Sequence, residues 1–274
     1  MSASDPALPP LRSDAVTLAY DRRIIVEQLS LAIPAGSFTA IIGPNACGKS
    51  TLLRAMAGLL APSAGQMILD GKAIASLSPR DIAQRLGLLP QTAIAPDGIT
   101  VGELVARGRY VHQRLLRQWS AADSQAVDDA LRLTDVADLA ERRVEHLSGG
   151  QRQRVWIAMV LAQQTPLILL DEPTTYLDIA HQLDVLNLLH DLNRAGRTIV
   201  AVLHDLNHAA RYASHIIAMK AGKVIAAGPP AAVINAATVA DVFGLATEVV
   251  PDPVTGNPMV VPHDTRRSVL RAPK

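Results

Sequence analysis

Residues 38–60 read FTAIIGPNACGKSTLLRAMAGLL, and this stretch decides the fold. Its apolar start, Phe38–Ile42, predicts a buried strand, and residues 51–60 have the apolar spacing of a helix. Between them, Gly43–Ser50 matches the phosphate-binding pattern GxxxxGK[ST]. An ordinary glycine turn is the alternative, but the flanking strand and helix supply the setting that the pattern requires. The stretch therefore predicts a phosphate site on an α/β fold.

The residue types in this loop suit a polyphosphate with a bound cation. Backbone N–H groups of the loop and of the following helix N-terminus form a cradle for anions. Lys49 adds a mobile positive charge toward the β and γ phosphates, and the Ser50 hydroxyl can ligate Mg²⁺. We therefore expect the loop to bind a nucleotide together with Mg²⁺.

A second apolar run, Leu167–Leu170, is followed by two adjacent carboxylates, Asp171 and Glu172. Ligands of open α/β sheets bind at the C-terminal edge of the strands, where these carboxylates would lie. Asp171 would hold Mg²⁺ through water, and Glu172 would accept a proton from the attacking water. Alone, the acidic pair also fits a simple turn at a strand end, but the glycine loop upstream favours the nucleotide site.

The segment Leu147–Gln151, LSGGQ, predicts a second helix N-terminus. Its serine and glutamine fit a capping box, so a well-capped helix is one interpretation. Two glycines at a helix start also suit the close approach of an anion, which is the other interpretation. The residues by themselves leave both interpretations open.

The rest of the chain predicts further elements of the same fold class. Helical patterns dominate from Thr100 to about Ala162 and return over about 179–193. Further strands are expected at residues 16–20, 24–33 and 198–203, and two more around a turn within 247–262. The strand–helix–strand order after residue 166 predicts parallel pairing in a sheet covered on both faces.

On this pattern we divide the chain into three parts. A disordered leader is expected at residues 1–13, and a main domain at 14–230. Within that domain, a helical subdomain is expected at about 93–164. A C-terminal extension with a short β hairpin is expected at 231–274.

Composition excludes several classes of protein. The chain has 274 residues, 49% of them hydrophobic, and a formal net charge of +1, so it is neither a disordered chain nor a general nucleic-acid binder. Its single cysteine, Cys47, excludes an internal disulfide and fits a reducing compartment. No apolar run is long enough to span a membrane, and the N-terminus has no signal-peptide core. We therefore expect a cytosolic protein that reaches a membrane only through a partner.

Three motifs together resemble those of one family. The glycine loop, LSGGQ and the segment LILLDEP (Leu167–Pro173) have the order and spacing found in nucleotide-binding subunits of ATP-binding cassette (ABC) transporters. The resemblance covers about residues 14–230. It implies an α/β fold with a P-loop NTPase (RecA-like) core, an antiparallel β subdomain and a helical subdomain. It also implies that a homodimer hydrolyses ATP with Mg²⁺ and drives separate transmembrane permease subunits.

The resemblance implies a role for each matching residue. ATP would bind to Tyr20, whose ring would stack on adenine, and to the loop residues Gly43, Pro44, Asn45, Ala46, Cys47, Gly48, Lys49, Ser50 and Thr51. The catalytic residues would be Lys49, Gln91, Glu172 and His204. The Mg²⁺ ligands would be Ser50, Gln91 and Asp171. Residues acting in trans, from the second subunit, would be Ser148, Gly149, Gly150, Gln151 and Asp178.

Simpler interpretations compete for some of these residues. Gln91, which the resemblance also places against the permease, could be a surface glutamine at a strand end. Tyr20 could be packed within the β region. His204, which the resemblance places on the γ-phosphate, forms an i, i+4 pair with His208 that could suggest zinc, but no third ligand is evident.

Two loop residues carry separate expectations. Ala46 stands where the family often has glycine, and alanine predicts an ordinary negative φ at that position. Cys47 is expected to be a small loop residue. The helix N-terminus and Lys49 could lower the pKa of its thiol, and we expect alkylation of Cys47 to block ATP binding.

Finer similarity concerns the cargo. Four segments resemble the ATPases of ferric-siderophore importers: residues 107–113, 156–179, 204–215 and 252–262. Cargo would bind the permease and an external substrate-binding protein, and this chain would be a peripheral subunit at the cytoplasmic face of the inner membrane. Haem and vitamin B12 importers are alternatives.

A soluble ABC ATPase acting in DNA repair or on the ribosome is the rival class of function. The chain has one cassette and no sustained heptads, and nucleic acid is not an expected partner. An acid-free run of arginines, either a solvated face or a docking surface for the permease, comprises Arg107, Arg109, Arg114 and Arg117.

Overall fold

The computed structural model describes residues 9–113, 119–175 and 177–263. The strands, in chain order, are β1 (Leu11–Tyr20), β2 (Arg23–Ile33), β3 (Phe38–Ile42), β4 (Ala64–Leu69), β5 (Lys72–Ala73), β6 (Leu86–Leu89), β7 (Leu167–Asp171), β8 (Thr198–Val202), β9 (His215–Lys220), β10 (Lys223–Gly228), β11 (Thr247–Pro251) and β12 (Pro258–Pro262). The α-helices are α1 (Lys49–Met56), α2 (Pro79–Ala83), α3 (Val101–Ala106), α4 (Ala121–Leu133), α5 (Gly149–Ala162), α6 (Ile179–Arg194), α7 (Leu206–Tyr212), α8 (Pro230–Val233) and α9 (Ala236–Phe243).

A six-stranded sheet, in the order β10-β9-β3-β8-β7-β6, forms the centre of the molecule. All neighbours pair in parallel except β10 and β9, which are antiparallel. Every residue of β3, β7 and β8 is buried, as the continuous apolar runs predict for a sheet covered on both faces. The predicted parallel α/β sheet is confirmed.

The two faces of this sheet belong to two different hydrophobic cores. Successive side chains of a strand point to opposite faces. In β7, Ile168 and Leu170 therefore pack with α5 and α6, whereas Leu167 and Leu169 pack with α1 and β1. The sheet consequently holds the helical part of the chain on one side and α1 with the second sheet on the other.

The second sheet is antiparallel, in the order β2-β1-β4-β5, and matches the expected antiparallel subdomain. Its first strand begins at Leu11, inside the predicted leader. Leu11 is fully buried and Ser13 nearly so, and core packing of these side chains makes residues 11–13 part of the strand. The predicted boundary at residue 13 was therefore wrong, and residues 1–8 lie outside the described ranges.

Helices α3, α4 and α5 occupy the chain between β6 and β7, where the helical subdomain was expected. Each begins with a capping box, in which the N-cap side chain and the third helical residue bond each other's backbone N–H. The N-caps are Thr100, Ser120 and Ser148. Local sequence therefore sets where these helices start.

The last described elements form a small C-terminal unit. Strands β11 and β12 pair antiparallel around a turn at residues 252–257, where the hairpin was expected. Val260 of β12 belongs to the same core as α5 and α6, and β12 lies against α7. Across the described ranges, the structure contains no helix with both the length and the apolar character needed to cross a membrane.

Candidate active site

Four strand ends bring the predicted site residues to one edge of the six-stranded sheet. Gly43 follows β3, Asp171 ends β7, His204 lies two residues beyond β8, and Gln91 lies two residues beyond β6. These strands run in parallel, so their C-terminal ends share one edge, where ligands of such sheets bind. A cavity of about 620 Å³ lies there, against the glycine loop, Gln91, Glu172 and His204.

The glycine loop needs backbone angles that only glycine adopts freely. Gly43 has a φ of +153° and Gly48 a φ of +107°. A Cβ on Gly43 would lie 2.3 Å from the carbonyl oxygen of Met219, so the loop passes too close to β9 for any side chain. Gly48 is the N-cap of α1, and the helix N-terminus therefore opens on the loop.

Ala46 contradicts the expectation drawn from its residue type. Its φ is +60°, in the left-handed region. The Cys47 N–H bonds the Pro44 carbonyl at 3.4 Å and closes a four-residue turn with Ala46 in third place. Type II turns require positive φ at that place. The prediction of an ordinary φ was therefore wrong, because the turn and not the residue type sets the backbone.

Lys49 is folded against its own loop. It is only 5% exposed, and its Nζ donates to the carbonyl oxygens of Gly43 at 2.8 Å and Pro44 at 2.9 Å. Two neutral carbonyls compensate a buried ammonium less well than an anion does. An anion in the cavity would therefore be a stronger partner for Lys49 than these two carbonyls are.

Ser50 and Asp171 form a pair of oxygen ligands. The Ser50 Oγ donates to Asp171 Oδ1 at 3.0 Å, and Asp171 is 5% exposed. Burial raises the pKa of the Asp171 carboxyl, Ser50 opposes the rise, and the charge of Glu172 adds to it. A cation beside Asp171 would remove that penalty, so the pair fits Mg²⁺, which prefers hard oxygen ligands.

Glu172 combines a strained backbone conformation with contacts on both of its carboxylate oxygens. Its φ is +55°, and its Oε1 lies 2.6 Å from His204 Nε2. Thr175 Oγ1 donates to Oε2 at 3.1 Å. Burial pulls the pKa of Glu172 upward, but His204, Thr175 and Gln91 together outweigh burial and lower it. The carboxylate is therefore ionised, fixed in place and next to the cavity.

Three residues that contact the cavity were missed by the sequence analysis: Arg23, Ile25 and Thr175. Thr175 follows Glu172 by three residues, and this spacing is a signal that the sequence offered. In the structure, the Thr175 N–H donates to the Glu172 carbonyl and closes a turn. No local sequence pattern indicates that Arg23 and Ile25 of β2 line the cavity. The cavity is lined by these two rather than by Tyr20, which pairs with Arg23 across the strands and is 41% exposed.

Cys47 points away from the cavity. Its side chain is 4% exposed and belongs to the core formed with α1 and β1. Burial raises the pKa of the thiol, more than the Lys49 charge and backbone hydrogen bonds lower it. The lowering of this pKa that the helix N-terminus and Lys49 could cause is therefore outweighed, because the side chain is desolvated.

The residues predicted to act in trans do not line this chain's cavity. Ser148 accepts a bond from the Gln151 N–H at 3.2 Å and donates its own N–H to Gln151 Oε1 at 3.1 Å, so the capped helix is confirmed. Ser148 and Gly149 are nonetheless exposed. Asp178 caps α6 by accepting from the His181 N–H at 2.9 Å and ring Nδ1 at 2.8 Å, with its side chain 66% exposed. Both helix starts are accessible to another molecule.

Side-chain positions bear on two further interpretations. Within the part of the chain that the structure describes, no cluster of three or more His, Cys, Asp or Glu side chains could hold a metal ion, so the His204–His208 pair gains no third ligand. Arg109 is buried, with its Nε 2.9 Å from Asp123 Oδ1. It is therefore not part of a solvated face, although Arg107 is exposed. Arg114 and Arg117 lie outside the described ranges.

Comparison with known proteins agrees with this geometry. Residues 26–175 match the family model described as ABC transporter. The chain is 53% identical to the ferric enterobactin transport ATP-binding protein FepC of Escherichia coli (strain K12), over 92% of this chain and 93% of that protein. It is 49% identical to the iron(3+)-hydroxamate import ATP-binding protein FhuC of Bacillus subtilis (strain 168), over 93% and 95%. A solved ATP-binding cassette, dimeric in a post-hydrolysis state with ADP and Pi, is similar with a TM-score of 0.73 and 29% identity, over 80% and 98%.

Proposed function

This chain belongs to the family of ABC transporter ATP-binding proteins, and from that premise we propose that it hydrolyses ATP to drive the import of a ferric siderophore. One observation carries the proposal: the glycine loop, Glu172 and His204 line a single cavity, and Asp171 bonds Ser50, which also lines it. The loop supplies a cradle for a polyphosphate, and the carboxylates supply a cation site and a base. This combination serves phosphoryl transfer to water.

ATP would bind with its phosphates along the loop. The backbone N–H groups at the start of α1 would point at the phosphates, and Lys49 would leave the carbonyls of Gly43 and Pro44 for their oxygens. The adenine would extend toward β2, where Arg23 and Ile25 line the cavity. Stacking of the base on Tyr20 remains a prediction.

Mg²⁺ would be held by Ser50 and Asp171, with Gln91 beside them. The 3.0 Å contact between the two oxygen ligands and the burial of Asp171 support this assignment. When bound, Mg²⁺ would neutralise charge that develops on the phosphates.

Glu172 would act as the general base. Its lowered pKa keeps it ionised, and it would take the proton of the attacking water at a carboxylate oxygen. His204 bonds Oε1 in the structure. With ATP present, we expect the ring to turn its Nε2–H to the γ-phosphate, which would free Oε1 for the water.

Replacing this base tests hydrolysis directly. We expect Glu172→Gln to retain ATP binding, to keep the ATP-bound dimer together and to lower phosphate release by about 10² to 10⁴-fold. Phosphate release and size-exclusion chromatography with ATP measure the two effects. Glu248→Gln, at an exposed glutamate of β11, is the matched control. Wild-type phosphate release from Glu172→Gln would remove Glu172 as the base.

Two copies would be needed to complete the site. The exposed Ser148 and Gly149 start α5, whose N-terminal N–H groups could meet the γ-phosphate bound to a second copy. ATP would then bridge the subunits, with Gly150, Gln151 and Asp178 at the same interface. Loss of the γ-phosphate would remove the shared contact and release the dimer, as in other nucleotide switches.

The dimer would drive separate transmembrane permease subunits from the cytoplasmic face of the inner membrane. An external substrate-binding protein would deliver cargo to the permease, and this chain would not touch it. The relatives named for ferric enterobactin transport and iron(3+)-hydroxamate import support an iron chelate as cargo.

Uptake by cells tests the cargo. Radiolabelled ferric siderophores, haem and vitamin B12 are offered to cells that carry the wild type, Lys49→Ala or Lys72→Ala. Lys72 is exposed on β5 and serves as the control lysine. We expect only Lys49→Ala to abolish uptake, and only of a ferric siderophore. Loss of haem or vitamin B12 uptake instead would move the cargo to that class, and unchanged uptake of every compound would contradict the import function.

A further inference from the structure

One face of α7 is bonded to the C-terminal hairpin. Asn207 and Arg211 are four residues apart, so they lie on the same side of the helix. The Asn207 side chain accepts from the Val260 N–H at 2.7 Å and donates to the Val260 carbonyl at 3.3 Å. The amide therefore pairs with β12 much as a neighbouring strand would.

The second bond to the hairpin is ionic. Arg211 donates to Asp252 Oδ2 from Nε at 3.1 Å and from Nη2 at 2.6 Å. The Asp252 side chain is 7% exposed, and its Oδ1 accepts the N–H groups of Val254 at 2.8 Å and Thr255 at 3.2 Å. One carboxylate thus orders the hairpin turn and binds α7, which couples the two elements.

Helix α7 directly follows the candidate histidine. His204 precedes the N-cap Asp205, whose side chain accepts from the His208 N–H at 2.8 Å. Seven residues are too few for a helix to be stable by itself in water, so the position of α7 depends on what it packs against. Ala209 and Ala210, both fully buried, fix one side of the helix to the core, and the hairpin bonds the other.

We propose that the C-terminal hairpin is a positioning element for His204. Asn207 and Arg211 are its positioning residues: they hold α7 on the hairpin, and α7 fixes the backbone from which His204 reaches Glu172 at 2.6 Å. The His204 side chain is 43% exposed, so its surroundings alone constrain it little. The inference rests on the proposed function, because the position of His204 matters only if the chain hydrolyses ATP.

A double-mutant cycle on the full chain tests this role. Phosphate release is measured against MgATP concentration for the wild type, Asn207→Ala, His204→Ala and the double variant. A displacement of about 1 Å can cost up to about 10²-fold in rate, so we expect Asn207→Ala to lower kcat by about tenfold with KM unchanged. In the His204→Ala background, Asn207→Ala should have no further effect, because the group that it positions is gone.

Matched variants separate positioning from general stability. We expect Arg211→Ala to lower kcat as Asn207→Ala does, and Arg211→Lys to restore part of it. Val254→Ser, at a side chain 81% exposed on the same hairpin, should match the wild type. Unchanged kcat in both Asn207→Ala and Arg211→Ala, or an equal loss with and without His204, would overturn the proposal. If either alanine variant fails to fold, the kcat and KM of Arg211→Lys decide whether the hairpin positions His204: a lowered kcat with unchanged KM supports the proposal, and wild-type values overturn it.

Failure of the proposed function would give a different result. If His204→Ala hydrolyses ATP as fast as the wild type, the role given to His204 fails, whatever the hairpin does. Hydrogen exchange of the α7 amides then reports docking independently of activity. Faster exchange in Asn207→Ala would show that the hairpin holds α7 in place. Unchanged exchange would overturn the docking of α7 on the hairpin as well.

Discussion

At the residue scale, two non-glycine residues of the site hold positive φ angles. Ala46 has +60° within the loop, and Glu172 has +55° at the end of β7. Such angles cost about 1 to 3 kcal/mol each and persist only where the surroundings impose them. At Glu172 the imposed conformation directs the carboxylate to His204. At Ala46 it closes the turn that shapes the phosphate loop.

Ala46→Gly should therefore stabilise the protein. Glycine adopts positive φ without the steric cost of a Cβ, and part of this gain is offset by its greater freedom in the unfolded chain. We expect the free energy of unfolding to rise by up to about 1 kcal/mol, measured by urea denaturation. Ala122→Gly, at an exposed position in the first turn of α4, should instead lower it by up to about 1 kcal/mol. Equal losses at both sites would contradict the strain assigned to Ala46.

Cys47 should react slowly with iodoacetamide in the folded chain. Cys47 is only 4% exposed and burial raises the pKa of its thiol, so both access and the thiolate fraction are low at pH 7. The rate should rise with pH as the thiolate forms. Mass spectrometry follows the reaction, because the sequence contains a single cysteine. We expect at least about a tenfold slower reaction than in the urea-unfolded chain, and equal rates would contradict the burial. That alkylation of Cys47 blocks ATP binding stays a prediction.

At the scale of elements, the N-terminus of α5 combines a cap with the exposed position at which we propose that the γ-phosphate held by a second copy binds. The Ser148–Gln151 capping box satisfies two backbone N–H groups within the chain. Other N–H groups of the first turn have no partner within an α-helix and are available to a phosphate. Of the three capping boxes at α3, α4 and α5, only this one has an uncharged third residue, Gln151. A neutral cap leaves the positive end of the helix uncompensated.

Two substitutions at Ser148 separate the cap from the anion site. Asparagine and aspartate both cap helices well, so neither Ser148→Asn nor Ser148→Asp should change the free energy of unfolding by more than about 0.5 kcal/mol. Only aspartate puts a negative charge where the partner's γ-phosphate is expected. We therefore expect Ser148→Asp alone to abolish ATP-dependent dimerisation in size-exclusion chromatography. Dimerisation of Ser148→Asp with ATP would argue against the site in trans.

At the scale of the whole molecule, one buried ion pair joins the three helical segments between β6 and β7. Arg109 follows α3, bonds Asp123 of α4 at 2.9 Å and donates to the carbonyl of Ala162, at the end of α5, at 2.8 Å. The pKa of Asp123 falls to about 2, mainly because the Ser120 hydroxyl donates a hydrogen bond to its carboxylate. Burial raises this pKa, and the hydrogen bond and charge of Arg109 lower it further. A buried charge pair therefore connects the three helical segments of this region.

Arg109→Met should destabilise the protein strongly, because it leaves the buried Asp123 without its partner. We expect a loss of about 3 kcal/mol in the free energy of unfolding at pH 7. Since the native pKa of Asp123 is depressed, this contribution is present above pH 4 and disappears as pH falls toward 2. Arg132→Met breaks an exposed ion pair with Asp129 and should cost less than about 1 kcal/mol. Similar losses from the two variants would contradict the burial of the Arg109 pair.

The sequence by itself determined the features that depend on neighbours along the chain. The strand, glycine loop and helix of residues 38–60, the helix starts with capping boxes, and the apolar strands all follow from local spacing and residue type. The parallel sheet follows from the order of these elements, and it brings Asp171, Glu172 and His204 to one edge. For these reasons most of the candidate site could be predicted.

Only the tertiary structure decided what depends on contacts between distant segments. The turn around Ala46 imposes a positive φ that its residue type does not predict. Core packing buries the Cys47 side chain and makes Leu11 part of β1. The hydrogen bond between Asn207 and Val260 joins residues 53 positions apart, and no local sequence pattern predicts it. Burial and long-range hydrogen bonds are properties of the packed chain, so neither residue type nor spacing specifies them in advance.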